Sequence, residues 1–584
     1  LTEKIHIDNI SDVLNNKEYR DILIFVSGIK QIKEISDAIH KLNAEVFSKG
    51  LKESKRHMME QWHKYVKGGG DDKYYIAPIP VMSANISSGG KDYMDLFSSI
   101  ETVTVYIYKF DSNGKRTDEI ISEEPASRRV MIGTNAIETG ITIDTLGYCI
   151  DTGWVNDSSF NPNFGCTLLV NKNITAGNYE QRKGRIGRIA PGKFYAAYTD
   201  TVLKNMQDLP FPEIVKSNIT SFILDTIIAE TEVKIIQIEI SERTENSFQM
   251  NQFDQNWYEL KYEKPFIAKD VDLIHYPSSD SISYSLEVLH GLGFITYEYY
   301  PTLFGIYASK FRKISLNAIR MIFAGYHNGA NILDLITIAC CLQEGSSIGI
   351  NKRKYKPRDP LNVGSDEANE YFRLLFCDEF IEFLFIWNDF MNAVEKMGDL
   401  MEKTSRTEKT VNIAPNYLPK WAIENNLNYE ALLRIVELRD EIINDMLSNG
   451  LDPYYNGLEL SRGTYNLTKI LKHNLNDGVD EIRKIKKCIY EGFRFNMCIW
   501  NPVTKTYVNN HYHNDVVVES MIIIPLIKEE KIDKSIQQFL PQKIIVNNIM
   551  IRPSFKNKGM FEFTGDYISV MDGYVDVDVS FLIS

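Results

Sequence analysis

Residues 181 to 188 read Gln-Arg-Lys-Gly-Arg-Ile-Gly-Arg, and their side chains are of the types that bind anions. Gln181, Arg182, Arg185 and Arg188 surround two glycines at three-residue spacing. Residues three apart on a helical turn share a side, so Arg185 and Arg188 make a fork. Gly184 and Gly187 let a backbone or a phosphate come close. Guanidinium groups so placed grip phosphoryl oxygens and stabilise the charge that develops on them during transfer. From Lys172 to Lys193 six cations stand against one acid, Glu180, in a chain whose net charge is −13. Taken alone, the cluster reads equally as a solvated basic face or a structural ion-pair network.

A second segment changes that balance. Residues 132 to 144 read Ile-Gly-Thr-Asn-Ala-Ile-Glu-Thr-Gly-Ile-Thr-Ile-Asp, an apolar strand running into Gly133, Thr134 and Asn135, then Glu138, then Thr142 to Asp144. Open α/β sheets place ligands at the carboxyl ends of their strands. Thr134 there can hold a phosphodiester oxygen, and Asp144 can orient a ribose or a metal-bound water. Each residue by itself also suits a capping or turn role.

The elements that must position these residues are legible as alternation. Asp21 to Ser27 is a short β-rich run followed by Gly28 and by isoleucines at helical spacing, which predicts strand, turn and helix. Val130 to Gly133, Gly147 to Asp151 and Lys193 to Thr199 read as further strands, so a parallel α/β sheet is predicted over about the first 200 residues. Thr102 to Ile121 predicts a hairpin insertion turning at Asn113-Gly114. Beyond Asp200 apolar residues recur three or four apart, as at 214–229, 281–292, 316–324, 332–342 and 371–394. Strand-like pieces return after residue 521 and predict a small terminal barrel.

Composition narrows the classes. A chain of 584 residues exceeds one core, and a prior of about 150 residues per domain gives roughly four. Hydrophobic content of 44% with 24% charged residues excludes disordered, collagen-like and disulfide-stapled classes. No apolar run reaches the roughly 18 residues of a membrane span, so an intracellular protein without a membrane partner is predicted. Seven cysteines without a CxxC read as reduced core residues. The acidic balance excludes steering of nucleic acid by overall charge; such a site must be a local basic lining. His511 and His513 are a possible metal pair without a third ligand, read as a surface strand, so no metal site is assigned to the chain. Leu1 at the first position predicts a piece of a longer protein.

The two segments, with the strand at Asp21 to Ser27 before them, resemble motifs IV, V and VI of superfamily 2 RNA helicases of the DEAH/DExH type, in that order. The form of residues 181–188, followed by Pro191-Gly192 and an aromatic strand, is most similar to the poxvirus nucleoside triphosphate phosphohydrolase type. Further likenesses run along the chain at Pro212-Glu213-Ile214, Asp272-Leu273 with Pro277-Ser278, Thr302-Leu303-Phe304-Gly305, Asp378 to Trp387, Trp421 to Arg439 and Ile482 to Phe493.

The resemblance implies a RecA-like α/β parallel-sheet domain over residues 1–200 and a winged-helix domain over 201–299. After these it implies a helical ratchet domain over 300–490 and an OB-like β-barrel over 491–584. It implies an ATP-dependent 3′ to 5′ helicase coupling NTP hydrolysis to unwinding or translocation, with RNA or DNA as partner. Gln181, Arg185 and Arg188 would then be catalytic and face the triphosphate, one of the two arginines as its finger. Asp144 and Gly140 would join them beside the nucleotide. Thr134, Asn135, Ser27 and Gly28 would lie on the nucleic acid, and residues 154–172 would form the strand-splitting hairpin. Gly140 stands where the family's TNIAETS pattern has Ser.

A complete motor of this type also needs a phosphate loop and a DExH box, which hold Mg²⁺ and the β- and γ-phosphates. Ser88-Gly89-Gly90-Lys91 ends like such a loop, but Asp92 follows where Ser or Thr must bind the metal. Asp366-Glu367-Ala368-Asn369 nearly spells the box, yet follows motif VI and has no strand before it. The expectation is therefore that ATP and Mg²⁺ are held mainly by a first RecA-like domain absent from this chain, which alone should not hydrolyse ATP. Transcription or virion proteins are further expected partners, which leaves a virion location open. The alternatives are a non-catalytic helicase-derived scaffold and a triphosphatase that remodels complexes without unwinding.

Overall fold

The computed structural model describes residues 21–53, 75–81, 103–231 (without 113, 136, 141–142, 144, 189–190), 234–237, 258–262, 272–345, 348–349, 379–404, 417–454, 475–518, 541–553 and 561–570. The chain divides into two compact units. One is Leu1–Ser158 with Leu169–Pro212, the other Ser159–Leu168 with Glu213–Ser584.

In the first unit β1 (Asp21–Phe25) feeds the long helix α1 (Ile29–Glu53), and β2 (Ile76–Val81) follows. The hairpin β3 (Thr104–Phe110) and β4 (Arg116–Pro125) precedes β5 (Arg128–Gly133), the short helix α2 (Ile137–Gly140) and β6 (Leu146–Asp151). The paired strands β7 (Trp154–Asn161) and β8 (Cys166–Asn173), whose tip, residues 159–168, belongs to the second unit, lead to helix α3 (Ala176–Lys183) and β9 (Lys193–Ala196). Five strands form one parallel sheet in the order β2-β5-β1-β6-β9. Leu23, Phe25, Met131 and Cys149 pack one face of it, and Val26, Ile32, Val130 and Ile132 the other, against α1. Burial on both faces explains the apolar run Val130–Met131–Ile132 within β5, which follows two buried arginines. At the sheet's amino end Arg129, fully buried, donates to Asp21 at 3.0 Å and to Thr145 at 2.7 Å.

Two details differ from the sequence reading. The edge strand β2, Ile-Ala-Pro-Ile-Pro-Val, was not predicted because two prolines argue against a strand; on a sheet edge their missing N–H groups can fall on the unpaired side. β9 ends at Ala196 because the Ala197 N–H bonds the Asp151 carbonyl at 2.8 Å and the Tyr198 hydroxyl turns to the Asp151 carboxylate. The hairpin turn falls at Asp111 to Lys115, with Gly114 at φ +74°.

The second unit carries helices at Thr220–Thr231, Ser279–Gly291, Leu316–Asn328, Ile332–Glu344, Glu379–Thr404, Tyr429–Ser448 and Leu475–Phe493, which share one apolar core. Between them lies the two-stranded pair β10 (Lys234–Gln237) and β11 (Tyr258–Lys261). At the end β12 (Met497–Asn501), β13 (Thr506–Asn509), β14 (Asp515–Val518), β15 (Lys543–Pro553) and β16 (Phe561–Val570) pair in a closed ring. The circuit runs 12–13–14–16–15 and returns to 12. Cys498, Tyr507, Val516, Ile544 and Val546 fill it.

His511 and His513 do not sit on a strand. They form the turn between β13 and β14, where His511 meets Glu287 at 3.2 Å and packs edge-on to Phe495 and Tyr512. The near-box at 366–369 and the loop at 88–91 lie outside the described residues. Among the described residues six cysteines are free and buried, and no helix is long and apolar enough to cross a membrane.

Candidate nucleotide and nucleic-acid site

The carboxyl ends of three neighbouring strands converge in register: Phe25 pairs Gly133 on one side and Asp151 on the other. β1 leaves the sheet through Ser27 and Gly28. There the Gln31 side-chain oxygen accepts from the Ser27 N–H at 3.0 Å, the Ser27 hydroxyl at 2.5 Å and the Gly28 N–H at 3.0 Å. Asn171 donates to the Ser27 hydroxyl at 2.8 Å and to Asn156 at 3.1 Å, tying the loop to the β7–β8 hairpin base. A Cβ on Gly28 would stand 2.6 Å from the Asn156 amide, so a larger residue would displace that side chain.

β5 leaves through Gly133, Thr134 and Asn135 and turns at once into α2, the Ile137 N–H bonding the Thr134 carbonyl at 3.1 Å and the Glu138 N–H the Asn135 carbonyl at 2.9 Å. Thr134 and Asn135 are half-buried. Gly133 is required: a Cβ there would lie 2.2 Å from Ile137 and 2.8 Å from the Val81 carbonyl. Gly140 ends α2. Asp144 lies outside the described residues.

α3 begins at Thr175, whose hydroxyl accepts from the Asn178 N–H at 3.2 Å while the Asn178 side chain accepts from the Thr175 N–H at 3.3 Å, a capping box. Its register turns Arg182 inward and Gln181 outward. Arg182 is fully buried. Its Nε donates to Glu138, its Nη1 to Asp151 and its Nη2 to the Asn135 side-chain oxygen, each at 2.6 Å, and the guanidinium lies 4.7 Å over the Phe25 ring. The second Glu138 oxygen accepts from Asn178 at 3.1 Å, and the second Asp151 oxygen from the Tyr198 hydroxyl at 2.9 Å. Burial and the Asp151 charge push the Tyr198 phenol well above its ordinary pKa, keeping it a donor.

After Gly184 the chain leaves the helix. Gln181 and Arg188 are exposed and Arg185 is half-buried. The Arg188 Nε donates to the Gly184 carbonyl at 3.1 Å, which folds its side chain back over the turn. Burial lowers the pKa of Arg185, and the like charge of Arg188 lowers it further.

The structure thus brings Asn135 together with the helix that carries Gln181 and that leads into the turn carrying Arg185 and Arg188, and brings Ser27 and Gly28 to the hairpin base. The sequence reading gave Arg182 no role of its own and passed over Asp151, Tyr198 and Gln31. Glu138 and Arg182 both lay within noticed segments, so an opposite-charge pairing was within reach; no spacing rule points to Asp151.

Residues 83–190 match the family model described as the helicase conserved C-terminal domain. Over 99% of its length the chain is 24% identical to an African swine fever virus protein provisionally named RNA helicase B962L, in isolates from a warthog in Namibia and a tick in South Africa. That alignment covers 52% of the viral protein, so the chain spans about half the length of these relatives. Over 101 residues, 17% of the chain and 9% of the relative, it is 42% identical to the pre-mRNA-splicing factor ATP-dependent RNA helicase prp22 of Schizosaccharomyces pombe. With the motif order and the parallel sheet, these likenesses identify residues 83–190 as a helicase C-terminal domain of the superfamily 2 DEAH type.

Proposed function

We propose that this chain supplies the second RecA-like half of an ATP-dependent helicase that moves 3′ to 5′ along RNA, followed by winged-helix, ratchet and OB-like domains at about 201–299, 300–490 and 491–584. The observation that carries the reading is the division of labour within residues 181–188. Arg182 is turned inward onto carboxylates, while Gln181 and Arg188 are exposed and Arg185 is half-buried. A scaffold has no need of a glutamine and two arginines in that register.

Gln181, Arg185 and Arg188 fit the phosphate side of ATP: one amide and two charge-bearing forks. Mg²⁺ would belong with the domain that holds the β- and γ-phosphates. Bound ATP would supply the phosphoryl group whose transfer drives movement. Here the arginines neutralise charge on the γ-phosphate, while Ser27, Gly28, Thr134 and Asn135 present hydroxyl, amide and backbone groups to the nucleic-acid backbone.

The test is Arg188→Ala in the full-length protein. ATP turnover should fall by about 100-fold or more while RNA affinity stays within a few-fold, because a transition-state contact has been removed. Lost RNA binding with intact turnover would overturn the assignment. Displacement of strands from 3′-tailed but not 5′-tailed duplexes supports the polarity; turnover without displacement selects the remodelling reading, and neither activity selects the scaffold.

A further inference from the structure

The nucleic-acid loop and the nucleotide arginines meet at one residue. The Arg182 side chain uses all three guanidinium nitrogens, one on the Asn135 side chain, one on Glu138 at the start of α2 and one on Asp151 at the end of β6. Its backbone carbonyl accepts the Arg185 N–H at 3.1 Å, which places the first arginine beyond the helix. The remaining oxygens of both carboxylates are already taken by Asn178 and Tyr198. All three guanidinium nitrogens and all four carboxylate oxygens are engaged, so a shift of the Asn135 loop must either break a charge-assisted bond or carry Arg182 with it.

We propose that Arg182 is a positioning residue that couples the two ends of the site. Nucleic acid seated on Thr134 and Asn135 fixes the loop, the guanidinium fixes α3 to the loop, and the carbonyl of the same residue sets the register of Arg185 and Arg188 toward the nucleotide. Stimulation of ATP turnover by RNA therefore passes through this side chain. The inference rests on the helicase reading above. Lysine keeps the charge but has a single nitrogen on a flexible stem and cannot hold three acceptors spread around a planar fork. Glutamine at 138 keeps the shape and an acceptor for Nε but removes the charge.

The experiment compares ATP turnover of the full-length protein with and without saturating single-stranded oligouridylate, for wild type, Arg182→Lys and Glu138→Gln. The ratio of stimulated to unstimulated turnover is expected to fall about tenfold or more in Arg182→Lys and by about three- to tenfold in Glu138→Gln, a coupling of ordinary size. Equal falls in both rates with the ratio intact would show a merely structural part and overturn the inference. So would an unchanged ratio in both variants. If Arg182→Lys does not fold, Glu138→Gln decides by the same criterion. A wild type that oligouridylate does not stimulate overturns the helicase reading and this inference with it, whereas a stimulated wild type with equally stimulated variants overturns this inference alone.

Discussion

Arg182 and Arg188 have the same side chain and belong to the same eight-residue stretch, yet one is fully buried and the other exposed. Sequence alone marks this stretch as a candidate anion site; it does not show which guanidinium is turned into the protein and which is turned out. That choice depends on the register of α3 against the sheet, and the partners that set it, Glu138 and Asp151, lie 44 and 31 residues earlier. A buried guanidinium between two carboxylates is costly to break from one side. Replacing Arg182 with leucine leaves both acids buried without their cation and should lower stability by about 3–5 kcal/mol in urea unfolding. Adding Glu138→Gln and Asp151→Asn to the leucine variant should recover most of that loss, because the cost lies in the orphaned charges. A triple variant as unstable as the single one would place the cost in packing instead.

Elements whose stability is local were the ones read best from sequence. The helix Ile332–Glu344 was expected at 332–342 from its apolar spacing, and Asn331 caps it by accepting from the Asp334 N–H at 3.2 Å. The β2 strand and the His511–His513 turn were not foreseen, since one depends on lying at a sheet edge and the other on the pairing of β13 with β14. What the helical pattern also concealed is the state of Asp334. Its Oδ2 is buried without a hydrogen-bond partner, and burial, aided by the charge of Glu481 and opposed by Arg439, pushes the carboxyl up to about 8. Its position in the first turn works the other way, since the helix dipole favours an anion there. The folded pKa lies above the ordinary value of 3.8, so the folded chain binds the extra proton. Stability linked to this group is therefore full below about pH 4 and is lost as pH rises toward 8. Asp334→Asn should raise the melting temperature at pH 8, by the equivalent of about 1 kcal/mol or more, and leave it unchanged near pH 4. A gain independent of pH would mean that the carboxyl stays ionised in the fold.

At the scale of the whole molecule, what sequence could not supply is long-range pairing within the second unit. The tip of the β7–β8 hairpin joins the terminal strands across nearly four hundred positions, Thr167 pairing Met550 and Leu168 pairing Ile551. No local pattern announces such a contact, although the span 154–172 was marked as a hairpin by its resemblance. Aromatic packing fastens the tip: Phe160 meets Tyr284 edge-on at 4.9 Å, Phe164 meets Phe563 at 5.4 Å, and Cys166 is buried, its thiol pushed up to about 12. The seat closes on Gly165, which sits at φ +59°, where a Cβ would stand 2.5 Å from the Tyr512 ring. Gly165→Ala therefore carries two separable costs, roughly 1–2 kcal/mol for an L residue in the left-handed region and a further clash with Tyr512. In a Tyr512→Ala background the second cost vanishes and the first stays. The destabilisation caused by Gly165→Ala should then shrink to about the backbone cost alone, giving a coupling of about 1 kcal/mol or more in a double-mutant cycle read by thermal unfolding. Strictly additive effects would mean that the tyrosine ring yields without strain, and that Tyr512 does not hold the hairpin tip in place.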